Sequence, residues 1–95
     1  MIRVVAKGKL KSDVKLDEYL KIARELVSET NKEKGCISYV LHVDINDPSI
    51  VTMIEKWVDE EAIEQHNSSE HVMKIVPELR KLRESTEINL YREIK

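Results

Sequence analysis

Ile50-Val51-Thr52-Met53-Ile54-Glu55-Lys56-Trp57-Val58 runs without a break into Asp59-Glu60-Glu61-Ala62-Ile63-Glu64-Gln65-His66. The first segment reads as a β-strand and the second as the helix it feeds. Side chains alternate across a strand, so Val51, Met53, Glu55 and Trp57 share one face. Ile50, Thr52, Ile54, Lys56 and Val58 share the other. A carboxylate and the chain's only tryptophan on a face that also carries Val and Met is an uneasy mixture for a plain core. It suits a small pocket, mostly apolar with a few orienting polar groups. The plainer alternative makes Trp57 a large core residue with Glu55 at its wet edge.

Working toward the N-terminus, Cys36 to Asp44 is rich in β-branched and aromatic residues and reads as a strand. Asn46-Asp47-Pro48-Ser49 is a turn by composition, so these two strands form a hairpin. Before them, Leu16, Leu20, Ala23, Val27 and Thr30 recur at helical spacing, widened by Tyr19, Ile22 and Leu26. The spacing predicts a helix over Leu16 to Lys34, with Asp17 and Glu18 in its first turn and Gly35 as its stop. Ile2 to Leu10 alternates with period two and predicts a first strand.

Working toward the C-terminus, Asp59 is a good N-cap for the helix beginning at Glu60. Ser68 and Ser69 offer a second cap, where the helical region restarts. Val72, Ile75, Val76, Leu79 and Leu82 continue an apolar stripe that Pro77 is expected to kink or interrupt. Thr86 to Ile94 alternates again and predicts a last strand. The order strand, helix, strand, strand, helix, strand is the split β-α-β pattern of an α+β ferredoxin-like fold. It implies a four-stranded antiparallel sheet with the helices on one face. The opposite face then holds Ile54 and its neighbours uncovered, and a face so apolar predicts a homodimer through Ile54 and Val58.

The totals set limits. With 95 residues the chain is one domain, 1–95. Its net charge of -2, with 36% charged residues of both signs and a pI of about 5.9, speaks against nucleic-acid binding. No apolar run is long enough to span a bilayer, and no signal-peptide pattern opens the sequence. One cysteine, Cys36, excludes an internal disulfide, and the expected location is the cytoplasm. Gly8 and Gly35 are the only glycines, so there is no Gly-rich phosphate loop. With no thiolate cluster and no His pair at ligand spacing, the expectation is a protein with no metal, flavin or haem.

The pattern Gly35-Cys36-Ile37-Ser38-Tyr39, Glu55-Lys56-Trp57, Ala62-Ile63-Glu64-Gln65-His66 and Ser69-Glu70-His71 resembles the antibiotic biosynthesis monooxygenase domain. The likeness covers nearly the whole chain. It is nearest to the small quinol monooxygenases and to the related enzyme that processes a phosphorylated autoinducer. The resemblance implies a dimeric α+β barrel and a cofactor-independent monooxygenase that oxidises a small aromatic or quinol with O2. In such an enzyme a base removes a phenolic proton, and the electron-rich anion reduces O2 itself. The implied roles are His66 as base, Trp57 as aromatic wall, and Glu55 as a group that orients His66 or takes the proton. Met53, Tyr39, His42 and His71 are the remaining substrate-binding candidates. Haem-degrading members carry an Asn on the first strand where this chain reads Arg3-Val4-Val5-Ala6-Lys7, and four aromatic residues make a thin haem pocket.

Each candidate has a plainer role. His66 serves equally as a helix cap, His71 as a solvated side chain, and His42, on the face opposite Tyr39, as a dimer contact. On one continuous helix His66 and His71, five apart, point to different faces and make a poor metal pair. Two other functions fit the same residues. One is a non-oxidative isomerase of a small, phosphorylated or unphosphorylated, carbonyl compound, which Lys or Arg at the pocket mouth would favour. The other is a non-catalytic dimeric binding or stress protein.

Overall fold

Period-two alternation becomes β1 (Ile2–Leu10), and the amphipathic stretch after it becomes α1 (Leu16–Thr30). There follow β2 (Cys36–Val43), β3 (Ile50–Trp57), α2 (Glu60–Asn67), α3 (Glu70–Lys81) and β4 (Arg83–Arg92). The computed structural model describes all residues, 1–95. The sheet is four-stranded in the order β2-β3-β1-β4, and every neighbouring pair is antiparallel. This is the ferredoxin-like arrangement, with the helices on one face.

Register decides which side chains the helices cover. Val4 lies opposite Glu55 and Leu90, Ala6 opposite Met53 and Ile88, and Tyr39 opposite Glu55. That face carries the core, in which Val4, Leu10, Val51, Met53 and Trp57 meet Tyr19, Ala23 and Leu26 of α1 and Ile75 and Leu79 of α3. The other face carries the row Val40, Ile54, Val5, Asn89, with Val40 48% and Ile54 38% exposed.

Three elements differ from expectation, and each difference has a local cause. α1 ends at Thr30 rather than Lys34, because Asn31 turns its side chain back. Asn31 Nδ2 donates to Val27 O at 2.8 Å and to Tyr39 O at 2.9 Å, which clips the end of the helix to β2. Gly35 is therefore not the helix stop, and it has no left-handed φ. Its role is closeness: a Cβ there would lie 2.3 Å from the Ala62 Cβ, so only glycine lets α2 approach the start of β2. Pro77 sits inside α3 without ending it. The carbonyl its missing N–H leaves free is that of Met73, whose side chain is 67% exposed, so that carbonyl lies on the wet side. β4 opens at Arg83 rather than Thr86, after a register shift at Lys9/Leu10 that sets Leu10 opposite Arg83.

The caps read from sequence are present. Asp59 Oδ1 accepts from Ala62 N at 2.8 Å. Ser69 Oγ accepts from Val72 N at 3.4 Å and donates to His66 O at 2.6 Å. The helical region thus breaks between Asn67 and Glu70.

Candidate functional site

Between the sheet and the helices lies a cavity of about 390 Å³. Val4, Ala6, Met53 and Glu55 form its floor; Tyr19 and Leu26 of α1, Ile63 and His66 of α2 and Val76 and Leu79 of α3 form its walls. It opens along β4, where the lining residues Ile88 and Leu90 are 57% and 54% exposed, because no helix crosses that edge strand.

Glu55 is the carboxyl on this apolar floor, and it is buried. Trp57, two residues on and therefore on the same face, donates its Nε1–H to Glu55 Oε1 at 2.9 Å. Burial disfavours the carboxylate and pushes the Glu55 pKa up to about 7; the Trp57 hydrogen bond opposes this, and the nearby Glu33 charge adds to it. A carboxylic acid half-protonated near neutrality can give or take a proton there.

His66 occupies the last turn of α2. Its Nδ1 lies 2.7 Å from Glu33 Oε2. A carboxylate only accepts, so Nδ1 carries the hydrogen and Nε2 of the neutral ring is an acceptor without a protein partner. Burial lowers the His66 pKa, and the hydrogen bond His66 donates to Glu33, together with the Glu33 charge, works against that. His71 places Nε2 2.7 Å from the same Glu33 oxygen. Glu33 therefore joins two imidazoles that stand on different helices, and the break at Ser68–Ser69 makes this possible. The inference that five residues keep these histidines apart fails for that reason: it assumed one continuous helix.

Glu33, His66 and His71 offer three ligand atoms within 4.8 Å of one another, a donor set that suits a divalent metal. The arrangement itself is that of a hydrogen-bonded triad. Both ring nitrogens aim at one oxygen from 2.7 Å, closer than the roughly 3.3 Å that separates two ligands held about 2.0–2.1 Å from a tetrahedral ion.

Residues 1–78 match the sequence profile of the antibiotic biosynthesis monooxygenase family. The chain belongs to that family. YcnE of Bacillus subtilis (strain 168), a candidate monooxygenase by name, is 34% identical over 76 residues, which is 80% of this chain and 79% of that one. A crystal structure of a conserved protein from Methanosarcina mazei Go1 shares 41% identity over 98% of this chain and 92% of its own, with a TM-score of 0.92. A crystal structure of an antibiotic biosynthesis monooxygenase shares 31% identity, covers 100% of both chains and has a TM-score of 0.93. Antibiotic biosynthesis monooxygenase membership and the ferredoxin-like sheet thus agree.

Within this monooxygenase-family fold the anticipated residues separate into groups. Glu55, His66, Met53 and Tyr39 line the one cavity. Trp57 has no exposed surface and stands behind that lining, its ring centroid 4.7 Å from that of His66 and 6.4 Å from that of Tyr39. It meets the lining through its hydrogen bond to Glu55 and is not itself part of the cavity wall. His71 reaches Glu33, not the cavity. His42 lies elsewhere, on a groove of about 610 Å³ between α1 and the edge strand β2, its Nδ1 3.0 Å from Val40 O. Glu55 does not orient His66; Glu33 does. Nothing in the helical pattern marks Glu33, since the expected helix ran through it. Cys36 is partly buried, and burial with the Glu33 and Glu55 charges pushes its thiol up to about 11, so it is no nucleophile at neutral pH.

Proposed function

We propose that this chain is a cofactor-independent monooxygenase for a small aromatic or quinol. The observation that carries the reading is one apolar cavity holding an acid and a base tuned in opposite directions. Burial keeps Glu55 protonated up to about 7 and keeps His66 neutral. Such divergence assigns the roles. His66 Nε2, with its ring held by Glu33 at Nδ1, takes the phenolic proton. The anion gives electrons to O2 and a carbon–oxygen bond forms at the ring. Glu55 supplies the proton that lets the O–O bond break, and water leaves. For a hydroquinone the balance is quinol plus O2 to hydroxyquinone plus water, with all four electrons drawn from the ring and no external reductant. Tyr39 and Met53 shape the dry wall against which the ring lies.

An oxygen electrode over a panel of hydroquinones tests this. The expected result is enzyme-dependent uptake of one O2 per quinol without H2O2, lowered by about 10²–10⁴-fold in His66→Ala. No uptake above the buffer rate with any member would overturn it. The same acid–base pair can also move a proton between two carbons, which supports isomerisation of a small carbonyl compound as the second reading. That reaction consumes no O2.

The exposed Val40 and Ile54 support a homodimer in which two copies stack these sheet faces, with the cavity of each copy on the far side of its own sheet.

A further inference from the structure

Two arginines line the same cavity from one corner of the fold. Arg80 stands in the last turn of α3, Arg83 opens β4, and both line the cavity. The lysine ion pairs are Lys9–Asp47, Lys32–Glu29 and Lys81–Glu78. The remaining pairs join His66 and His71 to Glu33. Neither arginine has a carboxylate partner, although Lys81, between them in sequence, has one.

Arg83 is the more telling of the two. Its Nε is sealed from solvent and has no hydrogen-bond partner. An arginine that merely covers apolar surface lays its stem down and keeps the guanidinium in water; here part of the guanidinium is enclosed instead. An enclosed donor without an acceptor is costly, so Arg83 is held here at a cost that an anion on its outer nitrogens would offset. The stem is accommodated by Gly8, where a Cβ would lie 2.6 Å from Arg83 Cδ. The head lies close enough to Tyr19 for its charge to act on the Tyr19 hydroxyl, and Tyr19 also lines the cavity. Glu55 is the one acidic residue in that lining, so the lining carries two fixed cations and a single carboxyl. A planar guanidinium presents paired donors that match a carboxylate or a phosphate.

We infer that the cavity takes a substrate bearing an anionic group, a carboxylate or a phosphate ester, gripped by Arg83 and Arg80 at the β4 end. This rests on the reading of the cavity as a substrate site but not on the use of O2.

Anaerobic calorimetric titration with hydroquinone, 2,5-dihydroxybenzoate and hydroquinone monophosphate tests it. One anionic compound is expected to bind at least about tenfold more tightly than hydroquinone, with an advantage that shrinks as KCl is raised. Which of the two wins names the group. Arg83→Met keeps a stem over Gly8 and should bring the anion down to the affinity of hydroquinone, while Arg83→Lys should retain part of the gain. The inference is overturned if neither anion outbinds hydroquinone in the wild type, a comparison that needs no variant to fold. It is overturned equally if the advantage survives in the folded Arg83→Met, Arg80→Gln double variant. Oxygen uptake on the same compounds separates the two proposals. Tight anion binding without uptake removes the oxygenase and leaves the subsite; uptake on hydroquinone with no anion advantage does the reverse.

Discussion

At the scale of single residues, the Glu55–Trp57 pair links stability to chemistry. The folded Glu55 pKa, about 7, stands above its ordinary 4.5, so the folded chain holds that proton more tightly than the unfolded chain does. Its contribution to stability is fully present below about pH 4.5 and is lost as pH rises to about 7. His66 runs the other way. Its folded value is depressed below 6.5, so its contribution is present above 6.5 and is lost as pH falls. Replacing Glu55 by Gln keeps an oxygen for Trp57 Nε1 and removes only the titration. Relative to wild type, Glu55→Gln should therefore gain on the order of 3 kcal/mol between pH 4.5 and pH 8. Urea unfolding at several pH values reads this; a difference that stays flat would show that Glu55 titrates normally. Trp57→Phe removes the hydrogen bond that holds the Glu55 value down. It should move the alkaline limb of kcat upward in pH, whereas Trp57→Ala should cost about 3–5 kcal/mol of stability as a core truncation.

At the scale of elements, the decisive feature is where helices stop. Periodicity located β1 to the residue and found the Asp59 and Ser69 caps, because those signals are local. It overran α1, because the Asn31 side chain that ends the helix bonds to the carbonyl of Tyr39, on a strand that local sequence cannot place. That error hid Glu33, which reaches His66 and His71 only from the turn released by the early stop. That Trp57 and Glu55 share one face was legible from alternation; that Trp57 stands behind the cavity lining while Glu55 lies in it was not, since this depends on how far α2 reaches across the sheet. Glu33→Gln should let the His66 pKa fall further, since the Glu33 hydrogen bond and charge raise it. The acid limb of kcat/KM should then shift to lower pH, and an NMR titration of the His66 ring should show the same shift. Because both imidazoles already donate to one Glu33 oxygen, a metal must displace two hydrogen bonds and part each nitrogen from that oxygen. Elemental analysis of protein purified without chelator should find far less than one transition metal per chain; a stoichiometric ion would overturn the hydrogen-bonded reading of the triad.

At the scale of the whole molecule, the uncovered sheet face is the surface through which the proposed homodimer would form. Its central row, Val40, Ile54 and Val5, is apolar and ends at Asn89. On one side it is flanked by Ser38, Lys56, Arg3 and Tyr91, and on the other by His42, Thr52, Lys7 and Glu87. A two-fold axis through the row would set the apolar strip of one copy on that of the other. Ile54→Lys would then bury a cation with no partner, which costs several kcal/mol, and should give monomers in sedimentation velocity at micromolar concentration. The flanking charges make a sharper prediction. Arg3, Lys7 and Lys56 outnumber Glu87 on this face, so two stacked copies bring like charges together. Screening relieves that repulsion over a Debye length of about 10 Å at 0.1 M salt, while hydrophobic contact does not weaken with salt. The dimer should therefore tighten as KCl rises from about 0.05 to 0.5 M, opposite to an interface held by ion pairs. A dimer that loosens over that range would place the contact on a different surface, and a wild-type monomer at micromolar concentration would remove the stacked-sheet assembly altogether.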